Sequence, residues 1–166
     1  MKGDDTTVND GLAVTLRSLC EEHGLIAMYV FGSRADEIAE RITRQQAQAA
    51  DAEAGRTGQT RRPTHASHPQ SDVDIGVQPQ RGRVLSAAER VRLMQQLETL
   101  LDAPRVDLVI LPEANVFLAA DVVRGELLAA TDLDAEADAQ LYYLRRAADL
   151  APFLREQWRE TVGSEL

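Results

Sequence analysis

The segment SDVDIGV, residues 71 to 77, alternates apolar and acidic side chains. Val73, Ile75 and Val77 predict the buried face of a β-strand, so Asp72 and Asp74 project together from the other face, with Cα atoms roughly 6 to 7 Å apart. Two carboxylates this close repel each other, and a divalent cation removes the conflict. Mg²⁺ accepts a few carboxylates and keeps other positions for water and phosphates. The pattern therefore indicates a magnesium site, or else an edge strand whose two aspartates face water.

Two further segments carry side chains that could complete such a site. Asp107 is the one acid within the apolar run RVDLVIL, residues 105 to 111. Gly32 and Ser33 follow the apolar run IAMYVF, residues 26 to 31, and precede a stretch of helix formers. Glycine permits close approach of the backbone, and a helix N-terminus offers amide donors to phosphate groups. Each feature taken alone also fits a plainer role, as a turn with a helix cap or as a solvated strand residue.

The elements that must position these residues follow from hydrophobic periodicity and from start and stop signals. Gly24 should end the first helix, Ser86 and Glu89 have the spacing of a capping box, and Pro152 should kink or divide the last helical region. The predicted helices are 9–23, 35–54, 87–102, 115–125 and 134–162, and the predicted strands are 26–31, 71–77, 105–111 and a short one at ELLAAT, 126–131. The order predicts a small α/β domain whose strands bring the acids and Gly32-Ser33 to one end of a sheet.

Composition sets limits on function. The chain has 166 residues, 44% of them apolar, and lacks an apolar run near the ~18 residues that span a membrane, which predicts one soluble domain without membrane contact. A single cysteine, Cys20, excludes an intramolecular disulfide and fits the cytoplasm. The net charge of −9 argues against direct binding of nucleic acid by the surface as a whole, and it suits a basic protein partner.

The segments YVFGSRA, SDVDIGV and VDLVIL together resemble the signature of the minimal nucleotidyltransferases of the DNA polymerase β superfamily. That signature is Gly-Ser, a gap, Asp-x-Asp on the next strand and a third Asp on a later strand. The closing region, VFLAADVVRGELLAATD and a helix with YYLRRAADLAPFL, resembles the MntA-type antitoxins of this group, which are paired with HEPN-domain RNase toxins. The resemblance implies a polymerase β-like fold: a short mixed sheet with helices packed on it and a C-terminal helical region at 134–162.

The resemblance also implies roles for six residues. Asp72, Asp74 and Asp107 would be catalytic and would hold Mg²⁺, in two ions, with Asp107 helping to deprotonate the acceptor hydroxyl. Gly32, Ser33 and Arg34 would bind the phosphates of ATP, although Arg34 could equally be a surface residue that pairs with Asp36 or Glu37.

Three functions remain open at this stage. The first is an antitoxin enzyme that transfers AMP from ATP to a tyrosine hydroxyl of a cognate HEPN toxin, in a complex with it. The second is a binding module of the same fold that neutralises the toxin without catalysis. The third is a small-molecule nucleotidyltransferase, for which the chain looks short. Tyr142 and Tyr143 are expected to be packing residues.

The spacing of the motifs departs from the family pattern. About ten residues usually separate Gly-Ser from Asp-x-Asp, and here 38 residues lie between Ser33 and Asp72. Within the expected single domain, 1–166, this defines an insertion at about 36–70, a helix followed by a flexible basic loop at 55–70. Lengthening the connection from about ten to 38 residues adds only ~1.2 kcal/mol of loop-closure cost, so the fold can absorb it.

Overall fold

The computed structural model describes residues 11–53 and 72–163. Two short 3₁₀ turns, Gly32–Arg34 and Leu111–Glu113, follow the first and third strands. The helices are α1 (Leu12–His23), α2 (Ala35–Glu53), α3 (Ala87–Leu100), α4 (Val116–Val123) and α5 (Leu133–Gly163), and the strands are β1 (Leu25–Phe31), β2 (Val73–Pro79), β3 (Val106–Ile110) and β4 (Glu126–Ala130).

The four strands form one mixed sheet in the order β3-β2-β1-β4. β1 is antiparallel to both of its neighbours, β2 and β4, whereas β2 and β3 run parallel. The C-terminal end of β1 and the N-terminal ends of β2 and β3 therefore lie at the same end of the sheet. This arrangement confirms the predicted α/β fold with a short mixed sheet, and it brings the sequence motifs to one end of it.

One face of the sheet is covered by α1, α2 and α3. The apolar side chains of β2 that alternate with the acids point into this layer, as the SDVDIGV pattern predicts. The helices contribute regularly spaced apolar residues to the same core. The buried side chains of this layer include Leu16, Leu19, Cys20, Ile38, Ile42, Val73, Ile75, Val77, Leu93, Leu97 and Leu101.

The opposite face is covered by α4 and by the first half of α5. This second layer is smaller, and Tyr29 of β1 is its largest fully buried side chain. The Tyr29 hydroxyl donates a hydrogen bond of 2.6 Å to Glu136 of α5, which satisfies both buried polar groups. Gly76 of β2 allows α4 to lie close to the sheet, because a Cβ there would overlap Val122. Asp72, Asp74 and Asp107 belong to this face.

Local signals set most helix ends where the sequence predicts them. Gly24 ends α1 with φ +65°, in the left-handed region that favours glycine. Ser86 and Glu89 form both halves of the predicted capping box. Asn115 caps α4 by accepting hydrogen bonds from two backbone amides. The first helix begins at Leu12, and the predicted start at residue 9 lies outside the described residues.

The prediction for Pro152 is corrected in one respect. α5 continues through Pro152 as one helix of 31 residues, so the proline does not divide it. The backbone still lacks one amide donor at this position, since proline has no N–H. From residue 148 to residue 159 every side chain except Ala151 is exposed, and this half of α5 extends beyond the sheet.

The predicted helix at 35–54 is present as α2, and its start belongs to the domain core. Ile38 and Ile42 are its two buried apolar residues, as the sequence suggests. The first two turns of α2 are therefore part of the three-helix layer, although the sequence analysis placed them inside the insertion at 36–70. The predicted loop at 55–70 lies outside the described residues. In the described ranges no helix combines the length and apolar character needed to cross a membrane.

Candidate active site

Four charged side chains form a two-by-two patch where β2 and β3 begin. Asp74 and Asp107 are aligned across the parallel pair. Asp72 and Arg105 precede them by two residues each, so all four project from the same face of the sheet. The three acids predicted from the sequence therefore lie together, and an arginine occupies the fourth corner.

The acids influence one another electrostatically. Burial raises the pKa of Asp74 above its ordinary value, and the negative charges of Asp107 and Asp72 raise that pKa further. All three acids are part-buried, and the side chains of Asp72 and Asp107 are 39% and 47% exposed. The cluster is thus a site with unfavourable repulsion between like charges, open enough to admit a ligand from solvent.

Arg105 offsets part of this repulsion. Its Nε lies 3.7 Å from Oδ2 of Asp72, and its Nη2 lies 3.2 Å from Oδ1 of Asp107. The side chain of Arg105 is 66% exposed, so these ion pairs are accessible to water and salt. Sequence analysis did not single out Arg105, although the available signal was its position two residues before Asp107, which matches the spacing of Asp72 and Asp74.

The turn at Gly32 completes this end of the sheet. Phe31 is the antiparallel partner of Asp74, so Gly32 comes directly after the residue that faces the central acid. Gly32 has φ +74°, and a Cβ at this position would overlap the Asp74 carboxylate. Both facts require glycine. Ser33 is exposed beside it, in the 3₁₀ turn that leads into α2. The predicted pairing of Gly-Ser with the acids is thus present in the geometry.

Arg34 differs from the surface residue that the sequence analysis considered. It is only 8% exposed, and it donates two hydrogen bonds to the Glu37 carboxylate, of 3.1 Å from Nε and 3.0 Å from Nη2. The guanidinium group lowers the pKa of Glu37, since it stabilises the ionised carboxylate. Of the two partners considered, Glu37 is the one that is bound. Arg34 therefore stiffens the connection between the Gly32 turn and α2.

The chemistry of the acid cluster fits a divalent cation. Three carboxylates from adjacent strands supply the oxygen ligands that Mg²⁺ prefers. The pKa of Asp74 is raised first by burial and then by the charges of Asp107 and Asp72, and a bound cation would offset those charges. Among residues 11–53 and 72–163, however, no three acidic, histidine or cysteine side chains stand close enough together to hold an ion as they are. Asp72 and Asp107 are turned toward Arg105 instead.

A groove of about 1060 Å³ lies at the other end of the same sheet face. α5 and the segment after β3 form its walls, and Tyr142 and Tyr143 are among its lining residues. Tyr143 is buried and forms a 3.0 Å hydrogen bond with Gln78, which agrees with the predicted packing role. Tyr142 is exposed, and the guanidinium of Arg146 lies 5.7 Å from the centre of its ring. None of the three acids lines this groove.

Comparisons with known proteins support the fold. No protein-family model matches the chain, and no curated protein sequence matches it at a significant level. The fold is similar to a chain in a mutant form of the toxin-antitoxin complex MntA-HpeT, with 20% identity and a TM-score of 0.55 over 92% of this chain and 96% of that chain. A toxin-antitoxin structure with AMP-PNP is 23% identical in sequence, with a TM-score of 0.53 over 92% of this chain and 96% of that chain. A structure from Shewanella oneidensis is 18% identical in sequence, with a TM-score of 0.53. The similarity covers 93% of this chain and 94% of that chain.

These similarities extend over nearly the whole length of each solved chain. At such low sequence identity they show that the fold is shared. The resemblance to MntA-type antitoxins is thereby confirmed at the level of the fold.

Proposed function

We propose that this protein is a Mg²⁺-dependent nucleotidyltransferase that transfers AMP from ATP to a tyrosine hydroxyl of a cognate HEPN-domain RNase toxin and so acts as its antitoxin. The observation that carries the proposal is the cluster of Asp72, Asp74 and Asp107 beside the glycine turn at Gly32. A buried core needs none of these acids, and a bound cation would relieve the repulsion among them that Arg105 offsets only in part.

Each residue of the cluster has a part in the proposed reaction. Asp72, Asp74 and Asp107 would hold the metal, which would supply positive charge to offset that of the triphosphate. Gly32 and Ser33 hold the phosphates at the start of α2. Asp107, the aligned partner of Asp74, would accept the proton of the acceptor hydroxyl. The hydroxyl oxygen forms a bond to the α-phosphorus, the bond from that phosphorus to the bridging oxygen breaks, and pyrophosphate leaves.

The choice of nucleotide and compartment draws on further observations. AMP-PNP, an analogue of ATP, is present in one of the toxin-antitoxin structures that share this fold. Cys20 is buried and is the one cysteine of the sequence, so the chain forms no intramolecular disulfide that would need an oxidising compartment. Both observations suit an ATP-using protein of the cytoplasm, built as a single nucleotidyltransferase domain.

The partner has a candidate docking surface on the outer half of α5. Leu150, Phe153, Leu154 and Trp158 follow one another at helical spacing, and all four are exposed. Exposed apolar stripes of this kind mark interaction sites. Two of the solved structures that share this fold are toxin-antitoxin structures, which favours the toxin as the occupant of the stripe.

A second candidate function is a binding module that neutralises the toxin by complex formation alone. It is favoured by the ion pairs of Arg105, which engage two of the three acids, and by the lack of a preformed ion-binding group among the described residues. The two candidates make different demands on Asp74. The enzyme requires its carboxylate, whereas the binding module does not.

The deciding experiment incubates the purified protein with ATP labelled on the α-phosphate, Mg²⁺ and a candidate HEPN-domain toxin from the same organism. Transfer of label to the toxin, lost in the double variant Asp72→Ala, Asp74→Ala while the complex still forms, would support the enzyme. Neutralisation at full strength by the double variant would instead support the binding module. Replacement of each toxin tyrosine by phenylalanine would then identify the acceptor.

A further inference from the structure

Arg105, the fourth charged side chain of the patch that contains the three acids, is given no role in the reaction proposed above. Arg105 stands opposite Asp72 across the parallel strands, because Val73 is aligned with Val106 and the register continues outward by one residue. Its guanidinium reaches both Asp72 and Asp107. It therefore connects two of the three acids, Asp72 and Asp107.

Binding of a cation and the pairing with Arg105 require the same carboxylates. An ion shared by Asp72, Asp74 and Asp107 needs oxygens from all three, but the oxygens of Asp72 and Asp107 now face the guanidinium. Among the described residues the three acids do not form a ready ion-binding group in this arrangement. Since the Arg105 side chain is 66% exposed, it can swing into solvent without disrupting the core.

We propose that Arg105 is an internal counter-ion of the acid cluster, which holds Asp72 and Asp107 in the metal-free protein and competes with the divalent cation for them. This inference depends on the proposed function, because it assumes that the cluster binds a cation. Arg105 is a positioning residue in this scheme: it sets how much cation is needed to organise the site and takes no part in bond formation. The affinity of the cluster for a divalent cation is then reduced by the cost of displacing the Arg105 guanidinium from Asp72 and Asp107.

The test measures binding of Mn²⁺ to the nucleotide-free protein by electron paramagnetic resonance, with Mg²⁺ as competitor. Arg105→Gln removes the competing charge and should bind Mn²⁺ about threefold to tenfold more tightly, the scale expected for one partly screened unit charge near a divalent ion. Arg105→Lys keeps the charge and should stay near the wild-type affinity. Arg92→Gln, an exposed arginine on α3 on the other side of the sheet, is the matched control and should change nothing.

Two results would overturn the inference. Equal or weaker Mn²⁺ binding by Arg105→Gln would show that the arginine does not compete, and weaker binding would make it a support for the acids instead. The variant Asp74→Asn separates this failure from a failure of the proposed function. If Asp74→Asn abolishes Mn²⁺ binding while Arg105→Gln leaves it unchanged, the metal site stands and only the role of Arg105 is lost. If wild type and Arg105→Gln both bind no Mn²⁺, both proposals fall.

Discussion

Asp74 and Asp107 are aligned neighbours across the parallel strands β2 and β3, although 32 residues separate them in the chain. Each is the second residue of its strand, and each follows an apolar residue that points into the opposite layer of the core. The buried valines thus determine the face from which the acids project. A one-residue slip of either strand would place its acid in the core, so the hydrophobic pattern protects the geometry of the site.

Loss of either aligned acid should abolish nucleotidyl transfer with little effect on folding. Asp74→Asn and Asp107→Asn should each lower the transfer rate by roughly 100-fold to 1,000-fold, the scale observed when one group that stabilises charge in a transition state is removed. The free energy of unfolding should stay the same or rise, because repulsion within the cluster is relieved. Label transfer and urea denaturation measure the two quantities. Asp121→Asn, on the exposed side of α4, is the control that should keep full activity.

The turn at Gly32 can be tested against a glycine of similar conformation. Gly32→Ala and Gly82→Ala both place a side chain in the left-handed region, at φ +74° and φ +78°, and each should cost about 1 to 2 kcal/mol of stability. Only at Gly32 does the new Cβ meet the Asp74 carboxylate, since Gly82 has open space around it. Gly32→Ala should therefore also lose transfer activity and metal affinity. Equal activity of the two variants at equal stability would refute a role for this contact.

Gly76 controls how closely α4 lies on the sheet. Gly76→Ala should destabilise the protein by about 1 to 3 kcal/mol, because the added methyl group overlaps Val122. Val122→Ala provides room for that methyl group, so the double variant should be more stable than the sum of the two single effects predicts. Denaturant titration of the wild type, the two single variants and the double variant measures the four free energies of unfolding. Strictly additive changes in these free energies would contradict the close packing of Gly76 against Val122.

The capping box of α3 should make stability depend on pH in the acid range. Hydrogen bonds from Ser86 and Arg83 lower the pKa of Glu89 from 4.5 to about 2. A lowered native pKa stabilises the fold above the unfolded value, and this contribution is lost as the pH falls toward 2. The stability difference between wild type and Glu89→Gln should therefore be largest near pH 6 and shrink below about pH 4.5. A stability difference between the two proteins that stays constant down to pH 3 would contradict the lowered pKa of Glu89 in the capping box.

The exposed stripe on α5 predicts a variant that separates binding from folding. Trp158 is 71% exposed, so Trp158→Glu should leave the midpoint of thermal unfolding unchanged and should weaken association with the toxin. Val84 is 72% exposed in the loop before α3, and Val84→Glu is the matched control that should bind normally. Copurification and analytical ultracentrifugation give the readout. Unaltered association of Trp158→Glu would place the toxin elsewhere.

Sequence patterns predicted this fold well where local chemistry decides it. The alternation of SDVDIGV predicted which residues of β2 enter the core. Gly24, and Ser86 with Glu89, each act at a predicted helix end through their own backbone or side chain. The proximity of the acids followed from their positions at strand starts, together with the resemblance to the nucleotidyltransferase signature. These features depend on neighbours within a few residues or on a simple period.

What sequence patterns missed depends on contacts between distant segments. The burial of Arg34 results from packing at the junction of β1 and α2, and no periodicity in GSRADE signals it. The pairing of Arg105 with Asp72 requires the register of β2 against β3, which the sequence does not specify. Pro152 was expected to kink or divide the last helical region, but α5 continues through it as one helix, in a stretch whose side chains are exposed.

The central position of β1 has a consequence for biosynthesis. This strand is made early, yet its hydrogen-bonding partners on both sides are made much later, and the last of them, β4, ends at Ala130. Pairings between such distant segments form slowly because long stretches of chain must be closed first. A nascent polypeptide on the ribosome therefore has no completed sheet until about three-quarters of the described residues have been made, so folding of the sheet must lag behind translation.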